Sequence, residues 1–139
     1  MLSFFKKKPR VLVLDDDVSM QKLVTKILKG KGLDVELVGH GRLAVELLQK
    51  NKYDAIVLDL MMPHEGGLTV LKHLDQHDPA AISRVIVMSA SSGSVLGAWK
   101  DRIFAVVQKP FDTDSFAASV VECASRAVPE PPGETGAPT

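Results

Sequence analysis

The stretch that decides the fold of this chain is Val11-Leu12-Val13-Leu14-Asp15-Asp16-Asp17, in which an apolar run leads directly into three carboxylates. A second stretch, Ala55-Ile56-Val57-Leu58-Asp59, repeats the arrangement further along the chain. Short, continuous apolar runs of this kind are typical of strands buried on both faces of a parallel sheet. Ligands bind outside the carboxyl ends of such strands. We therefore expect these carboxylates to meet at one edge of a parallel sheet.

Carboxylates that converge at one sheet edge repel one another unless a cation lies between them. A hard divalent ion such as Mg²⁺ prefers oxygen ligands and keeps some of its waters, which suits such an edge. The alternative is that Asp15, Asp16 and Asp17 merely cap the loop after their strand. Asp59, at the end of a second apolar run, favours the metal site.

The remainder of the chain alternates between apolar runs and amphipathic helical patterns. Strands are predicted at 11–14, 35–38, 55–58, 85–88 and 105–107, and the second, which is half polar, reads as an edge strand. Helices are predicted after an N-cap at Ser19, over 41–51, around 68–74, weakly over 95–101, and after an N-cap at Asp112. Five strand–helix repeats predict an α/β fold, a doubly wound parallel sheet with helices on both faces.

Length and composition indicate one ordinary globular domain. The chain has 139 residues, a formal net charge of zero and one cysteine, Cys123, which reads as a buried apolar filler. We divide it into a short N-terminal extension (1–10), a domain (11–127) and a Pro/Gly-rich tail or linker (128–139) that we expect to be disordered. No basic excess, membrane-length apolar stretch or signal peptide is visible, so we expect a cytoplasmic protein without a membrane span or direct nucleic acid binding.

The carboxyl edge of the predicted sheet collects the side chains that phosphoryl transfer requires. Asp15 and Asp16 follow the first strand, Asp59 the third, Ser89 the fourth and Lys109 the fifth. Cations and hydrogen-bond donors must surround the charged oxygens of a transferred phosphoryl group. An aspartate can itself accept that group as an acyl phosphate.

These residues resemble the receiver domains of two-component response regulators. The resemblance covers residues 11–127 and rests on four motifs: Val-Leu-Asp-Asp-Asp at 13–17, Leu-Asp-Leu-Met-Met-Pro at 58–63, Val-Met-Ser-Ala at 87–90 and Lys-Pro-Phe at 109–111. Together, in this order and spacing, the motifs are highly specific. The resemblance implies a flavodoxin-like sheet with strand order 2-1-3-4-5.

The resemblance also implies a role for each residue of the edge. Asp59 would be the phosphoacceptor, Lys109 would pair with the phosphoryl oxygens, and Ser89 would donate a hydrogen bond to one of them. The Lys109–Pro110 peptide bond would be cis, a state that is rare except before proline.

The cofactor implied by the resemblance is Mg²⁺. Asp16, Asp59 and the backbone carbonyl of Met61 would bind the ion directly, and Asp15 would act largely through water.

The conformational switch is the place where the chain departs from the family. Receivers usually carry an aromatic residue three positions before the lysine, and here that position is Val106, which forms the predicted switch region together with Ala90 and Pro110. Phe104 lies two positions away. We expect the signal to pass through backbone motion of residues 89–97 and to give a graded response.

A partner surface is predicted beside the edge. The apolar positions of the first helix form a stripe that is wide for core packing alone, so we expect Met20 and Leu23 to be partly exposed. With Pro110 and Phe111 they would contact a sensor histidine kinase or a histidine phosphotransfer protein. A downstream protein target is also expected.

Two alternatives stay open. One is a pseudo-receiver, an interaction module that works without phosphorylation. The other is a haloacid-dehalogenase-type phosphatase, in which Asp15 would be the nucleophile. On the receiver reading the chain is not an enzyme, apart from catalysing its own phosphorylation and dephosphorylation.

Overall fold

The computed structural model describes residues 8–62, 65–90 and 96–127. These residues contain a five-stranded parallel sheet. Its strands lie in the order β2-β1-β3-β4-β5, which confirms the predicted fold class and strand order. Their bounds are β1 (Arg10–Leu14), β2 (Asp34–Val38), β3 (Ala55–Asp59), β4 (Val85–Ser89) and β5 (Ala105–Gln108). β1 thus begins one residue before the predicted domain boundary, because Arg10 already pairs with Asp34 of β2. The predicted tail, 128–139, lies outside the described residues.

Within the described residues, four helices cover the two faces of the sheet. They are α1 (Val18–Gly30), α2 (Gly41–Lys50), α3 (Gly67–His77) and α4 (Thr113–Ala127), with 3₁₀ segments at Pro79–Arg84 and Gly97–Trp99. α1 and α4 share one core cluster, and α2, α3 and the 3₁₀ segments share the other. Strand residues alternate between the two clusters because successive side chains point to opposite faces of a strand.

The helix caps were predicted with mixed success. Ser19 is not the N-cap of α1: Asp17 takes that position, with extended backbone and a carboxylate that accepts the Ser19 N–H at 3.2 Å. The predicted cap at Asp112 is confirmed, since its carboxylate accepts the Ser115 N–H at 2.8 Å. Ser19 cannot be the N-cap because α1 begins at Val18, so Ser19 already lies inside the first helical turn.

The weak helix predicted over 95–101 is wrong for the described part of that range. Residues 96–101 contain a single 3₁₀ turn, Gly97–Trp99, which begins at a glycine with φ of +35°. Arg102 connects this turn to α3. Its guanidinium pairs with Asp75 of α3 and lies 5.1 Å from the centre of the Trp99 ring. Val106 on β5 is left 42% exposed.

Candidate functional site

Four neighbouring strands bring the predicted phosphoryl-transfer residues to one edge. Asp15 follows β1, Asp59 ends β3, Ser89 ends β4 and Lys109 follows β5. Asp15, Asp59 and Ser89 are 0%, 3% and 3% exposed, so polar groups here are removed from bulk water. Because the strands are parallel and adjacent, residues far apart in the sequence meet without any long loop.

Lys109 bridges the two buried carboxylates. Its ammonium nitrogen lies 3.3 Å from Asp59 Oδ2 and 3.6 Å from Asp15 Oδ2. The Lys109 backbone N–H donates to the Ser89 carbonyl at 2.9 Å, and the Lys109–Pro110 bond is cis, as predicted. One cation therefore faces both the predicted phosphoacceptor and its acidic neighbour.

Three carboxylates have the geometry of a metal site. One oxygen each from Asp15, Asp16 and Asp59 lies within 4.8 Å of the others, with Asp16 exposed to solvent. Asp15 Oδ2 is buried and accepts no hydrogen bond from the described residues; the Lys109 ammonium at 3.6 Å is an ion-pair contact. Oxygen ligands on one side and solvent on the other fit a hard divalent cation that keeps several waters.

The surroundings of the Asp15 carboxyl disfavour its charged form. Burial raises its pKa above the ordinary value, and the charge of Asp59 adds to the rise, while the Asp17 N–H and Lys109 oppose it. A buried carboxylate in this state is stabilised by any further positive charge that reaches it. A cation beside Asp15 would therefore stabilise the charged form of this carboxyl.

The loop after β3 is fixed at both of its ends. The Met61 N–H donates to Asp59 Oδ1 at 2.9 Å, while the Met61 side chain is 52% exposed. At the far end, the Gly41 N–H of α2 donates to the Glu65 carbonyl at 2.8 Å. A side chain on Gly41 would place its Cβ 2.5 Å from that oxygen, so only glycine allows this approach. Residues 63 and 64, including the Pro63 of the motif, lie outside the described part.

Sequence reasoning missed two residues that support this edge. Gln21 of α1 donates through its amide nitrogen to the carbonyl oxygen of Asp15, and Gly41 holds the loop after β3. The only sequence signal for Gly41 was its place at a helix start, and nothing in the sequence marked Gln21.

The predicted partner residues differ in their exposure. Leu23 is 41% exposed and Met20 is half-buried against the α1/α4 core cluster. Pro110 is exposed, and the half-buried Phe111 ring stacks on Phe116 with centres 4.7 Å apart. Met20 and Phe111 thus pack against the core cluster of α1 and α4, whereas Leu23 and Pro110 are exposed to solvent.

The predicted switch residues lie at the surface. Ala90 and Val106 are exposed, and residues 91–95 of the predicted switch segment lie outside the described part. Phe104 does not share the position of Val106: it packs against the α1/α4 cluster, with the Arg126 guanidinium 5.5 Å from its ring.

Comparison with known families identifies the chain. The model of the response regulator receiver domain matches residues 11–121. The chain therefore belongs to the response regulator receiver domain family, a family of two-component signalling. A response regulator receiver protein of Anaeromyxobacter is 30% identical over 101 residues, covering 73% of this chain and 42% of the relative.

The match to longer regulators is partial. The DNA-binding response regulator MtrA of Mycolicibacterium smegmatis is 30% identical over 113 residues, which is 81% of this chain and 49% of MtrA. The chain thus spans about half of the length of these relatives. Within the described residues, no helix is both long enough and apolar enough to cross a membrane.

Solved structures show the same architecture. The receiver domain of the Francisella response regulator 1452 superposes with a TM-score of 0.77 at 29% identity, covering 87% of this chain and all of that one (100%). The receiver domain of the sensor histidine kinase PA1611 of Pseudomonas aeruginosa, solved with a magnesium ion in its active-site cleft, gives a TM-score of 0.70 at 20% identity. That match covers 85% of this chain and 98% of that receiver domain, and at this identity it speaks for the fold alone.

Proposed function

We propose that this receiver domain accepts a phosphoryl group on Asp59 from the phosphohistidine of a sensor kinase or a histidine phosphotransfer protein. The observation that carries the proposal is the Lys109 ammonium, 3.3 Å from a nearly buried Asp59 carboxylate at the solvent-facing edge of the sheet. In the transfer, an Asp59 oxygen forms a bond to phosphorus as the nitrogen–phosphorus bond of the donor histidine breaks. The electron pair of that bond stays with the imidazole.

The residues around Asp59 would divide the work of this transfer. Met61 holds Asp59 Oδ1 through its N–H, which fixes the orientation of the carboxylate. The Lys109 ammonium would neutralise charge on the phosphoryl oxygens, and the Ser89 hydroxyl would donate to one of them. Preorganised donors of this kind stabilise charge at little reorganisation cost, because the fold already holds them in place.

The proposal includes a magnesium ion. Asp15, Asp16, Asp59 and the Met61 carbonyl would hold it, Asp15 largely through water, and the ion would supply positive charge against the carboxylates and the phosphoryl oxygens. The orphaned, buried Oδ2 of Asp15 supports this assignment.

The test is phosphorylation by acetyl phosphate in the presence of Mg²⁺. We expect one acid-stable, base-labile phosphoryl group on the wild type and none on Asp59→Asn, because an amide is not a nucleophile. Asp17→Asn is the matched control, since asparagine can also cap α1 and Asp17 is outside the metal set. An unlabelled wild type would favour the pseudo-receiver alternative, and a label on Asp15 would favour the phosphatase.

The partner surface around Met20, Leu23, Pro110 and Phe111 is proposed to contact a helical element of the phosphodonor. The supporting feature is Leu23, which is 41% exposed on α1, the helix that follows the acidic residues 15–17, because exposed apolar groups near a reactive site favour docking. Leu23→Ser should slow phosphotransfer from a cognate kinase and leave labelling by acetyl phosphate unchanged. Equal loss with both donors would contradict a docking role. The phosphodonor would itself receive its phosphoryl group from ATP. Because ATP is available in the cytoplasm, we propose that the exchange takes place there.

Output is proposed to follow from a graded change near β5. Val106 is too short to move between two burial states as an aromatic side chain does, so motion of the 89–97 backbone would transmit the signal to a downstream protein target. Beryllofluoride titration followed by amide chemical shifts tests this. Large shifts over residues 95–107 that are fully populated at saturation would refute the graded response.

A further inference from the structure

The two peptide groups on either side of Asp16 are each held by a hydrogen bond. The preceding peptide contributes the Asp15 carbonyl, which accepts from the side-chain amide of Gln21 on α1. The following peptide contributes the Asp17 N–H, which donates to Asp15 Oδ1 at 2.9 Å. The Asp15 N–H is in turn held by the Val38 carbonyl at the end of β2, at 3.1 Å. The backbone that carries Asp16 is therefore fixed on both sides.

Asp16 depends on this backbone because its own side chain is exposed. Packing does not fix an exposed carboxylate, so its position follows from the orientation of its flanking peptides. A rotation of the Asp15–Asp16 peptide would move the Asp16 oxygen out of the cluster it forms with Asp15 and Asp59. Gln21 is the side chain that opposes this rotation.

Gln21 suits this role through its chemistry as well as its place. It is half-buried, and its amide nitrogen lies beside the loop after β2, where a Cβ built on Gly39 would come within 3.4 Å of it. Its donor is neutral, so it holds the carbonyl without adding a second positive charge that would compete with a metal ion beside Asp16.

We propose that Gln21 is a positioning residue for the metal site, which holds the Asp16 carboxylate where it can bind the cation. This inference rests on the Mg²⁺ site of the proposed function. Gln21→Met removes the donor and keeps the length and shape of the side chain. Loss of one such hydrogen bond predicts about three- to tenfold weaker Mg²⁺ binding. Gln76→Met, the same change at an exposed position of α3, should leave Mg²⁺ affinity unchanged.

The measurement is Mg²⁺ titration of the full chain by calorimetry, paired with urea unfolding in EDTA. A merely structural role would lower stability in EDTA and leave the Mg²⁺ dissociation constant at the wild-type value, which would overturn the inference. Asp16→Asn provides the second arm: in that background Gln21→Met should cause no further weakening, because the ligand it positions is gone.

The outcomes separate this inference from the metal site itself. A wild type that binds no Mg²⁺ would overturn both. A wild type that binds Mg²⁺, with Gln21→Met binding equally well, would overturn only the role of Gln21. Equal weakening by Gln21→Met in the wild-type and Asp16→Asn backgrounds would show that Gln21 acts elsewhere, and would also overturn it.

Discussion

Replacing Lys109 by methionine should lower the stability of the folded protein, because it removes the cation that lies between two nearly buried carboxylates. The ammonium lies 3.3 Å from Asp59 and 3.6 Å from Asp15, and the three side chains are 20%, 5% and 0% exposed. Each pair has a gross attraction of about 5 kcal/mol at an effective dielectric constant of 20. Most of this attraction is offset by the loss of hydration of three charges, so the gross value is not the effect of the substitution.

The net effect follows from what the substitution leaves behind. Lys109→Met leaves two nearly buried carboxylates without their shared cation, and breaking a buried pair in this way costs about 3–5 kcal/mol. We expect a loss of about 3 kcal/mol at pH 7 without metal, because the 20% exposure of Lys109 reduces the effect. The melting temperature should fall by roughly 10 °C.

The assay is urea unfolding of wild type and variant in EDTA and in excess Mg²⁺. Added Mg²⁺ should restore part of the lost stability in Lys109→Met and stabilise it more than it stabilises the wild type, because the ion then has no competing ammonium. Lys72→Met, at an exposed position of α3, is the control. A variant as stable as the wild type in EDTA, or one that Mg²⁺ stabilises less than the wild type, would refute this account of the site.

Two further predictions concern the same edge. Burial raises the folded-state pKa of Asp15 above the ordinary 3.8, so the stability that this group contributes is present below 3.8 and is lost as the pH rises through the raised value. Asp15→Asn should therefore stabilise the metal-free protein at pH 7, by about 1 kcal/mol, and weaken Mg²⁺ binding; a urea midpoint at pH 7 that falls would contradict this. Gly41→Ala forces the Glu65 carbonyl away from α2 and should cost about 1–3 kcal/mol with weaker Mg²⁺ binding, whereas Gly30→Ala, whose Cβ meets nothing within 4 Å, should be neutral or slightly stabilising. Equal urea midpoints for the two glycine variants would show that the contact between α2 and the loop is not tight.

The fold was readable from the sequence because its signals are local. A strand buried on both faces must be apolar along its whole length. The apolar runs that end at Leu14 and Leu58 therefore predict a parallel sheet without any tertiary information. Parallel strands then place Asp15, Asp59 and Lys109 at one edge by topology alone. The resemblance to receiver domains implied the strand order, and the structure confirms that order.

The choice between neighbouring local signals was harder to read from the sequence. Asp17 and Ser19 are both good N-cap residues, and Asp17 takes the position because its backbone is extended and its carboxylate accepts the Ser19 N–H. The stretch 96–101 has enough apolar residues for a helix, yet Gly97 and the pairing of Arg102 with α3 hold it as a 3₁₀ turn. In the second case a tertiary contact outweighs a weak local propensity.

The supports of the site were decided by the tertiary structure alone. Gln21 reaches back from α1 to the Asp15 carbonyl, and Gly41 meets Glu65 across two elements that are separate in the sequence. Neither contact has a periodicity, because each depends on where a helix lies on the sheet and how closely a loop approaches it. Sequence by itself therefore determined which strands form and which reactive groups their ends present, while packing determined the side chains that hold those groups in position.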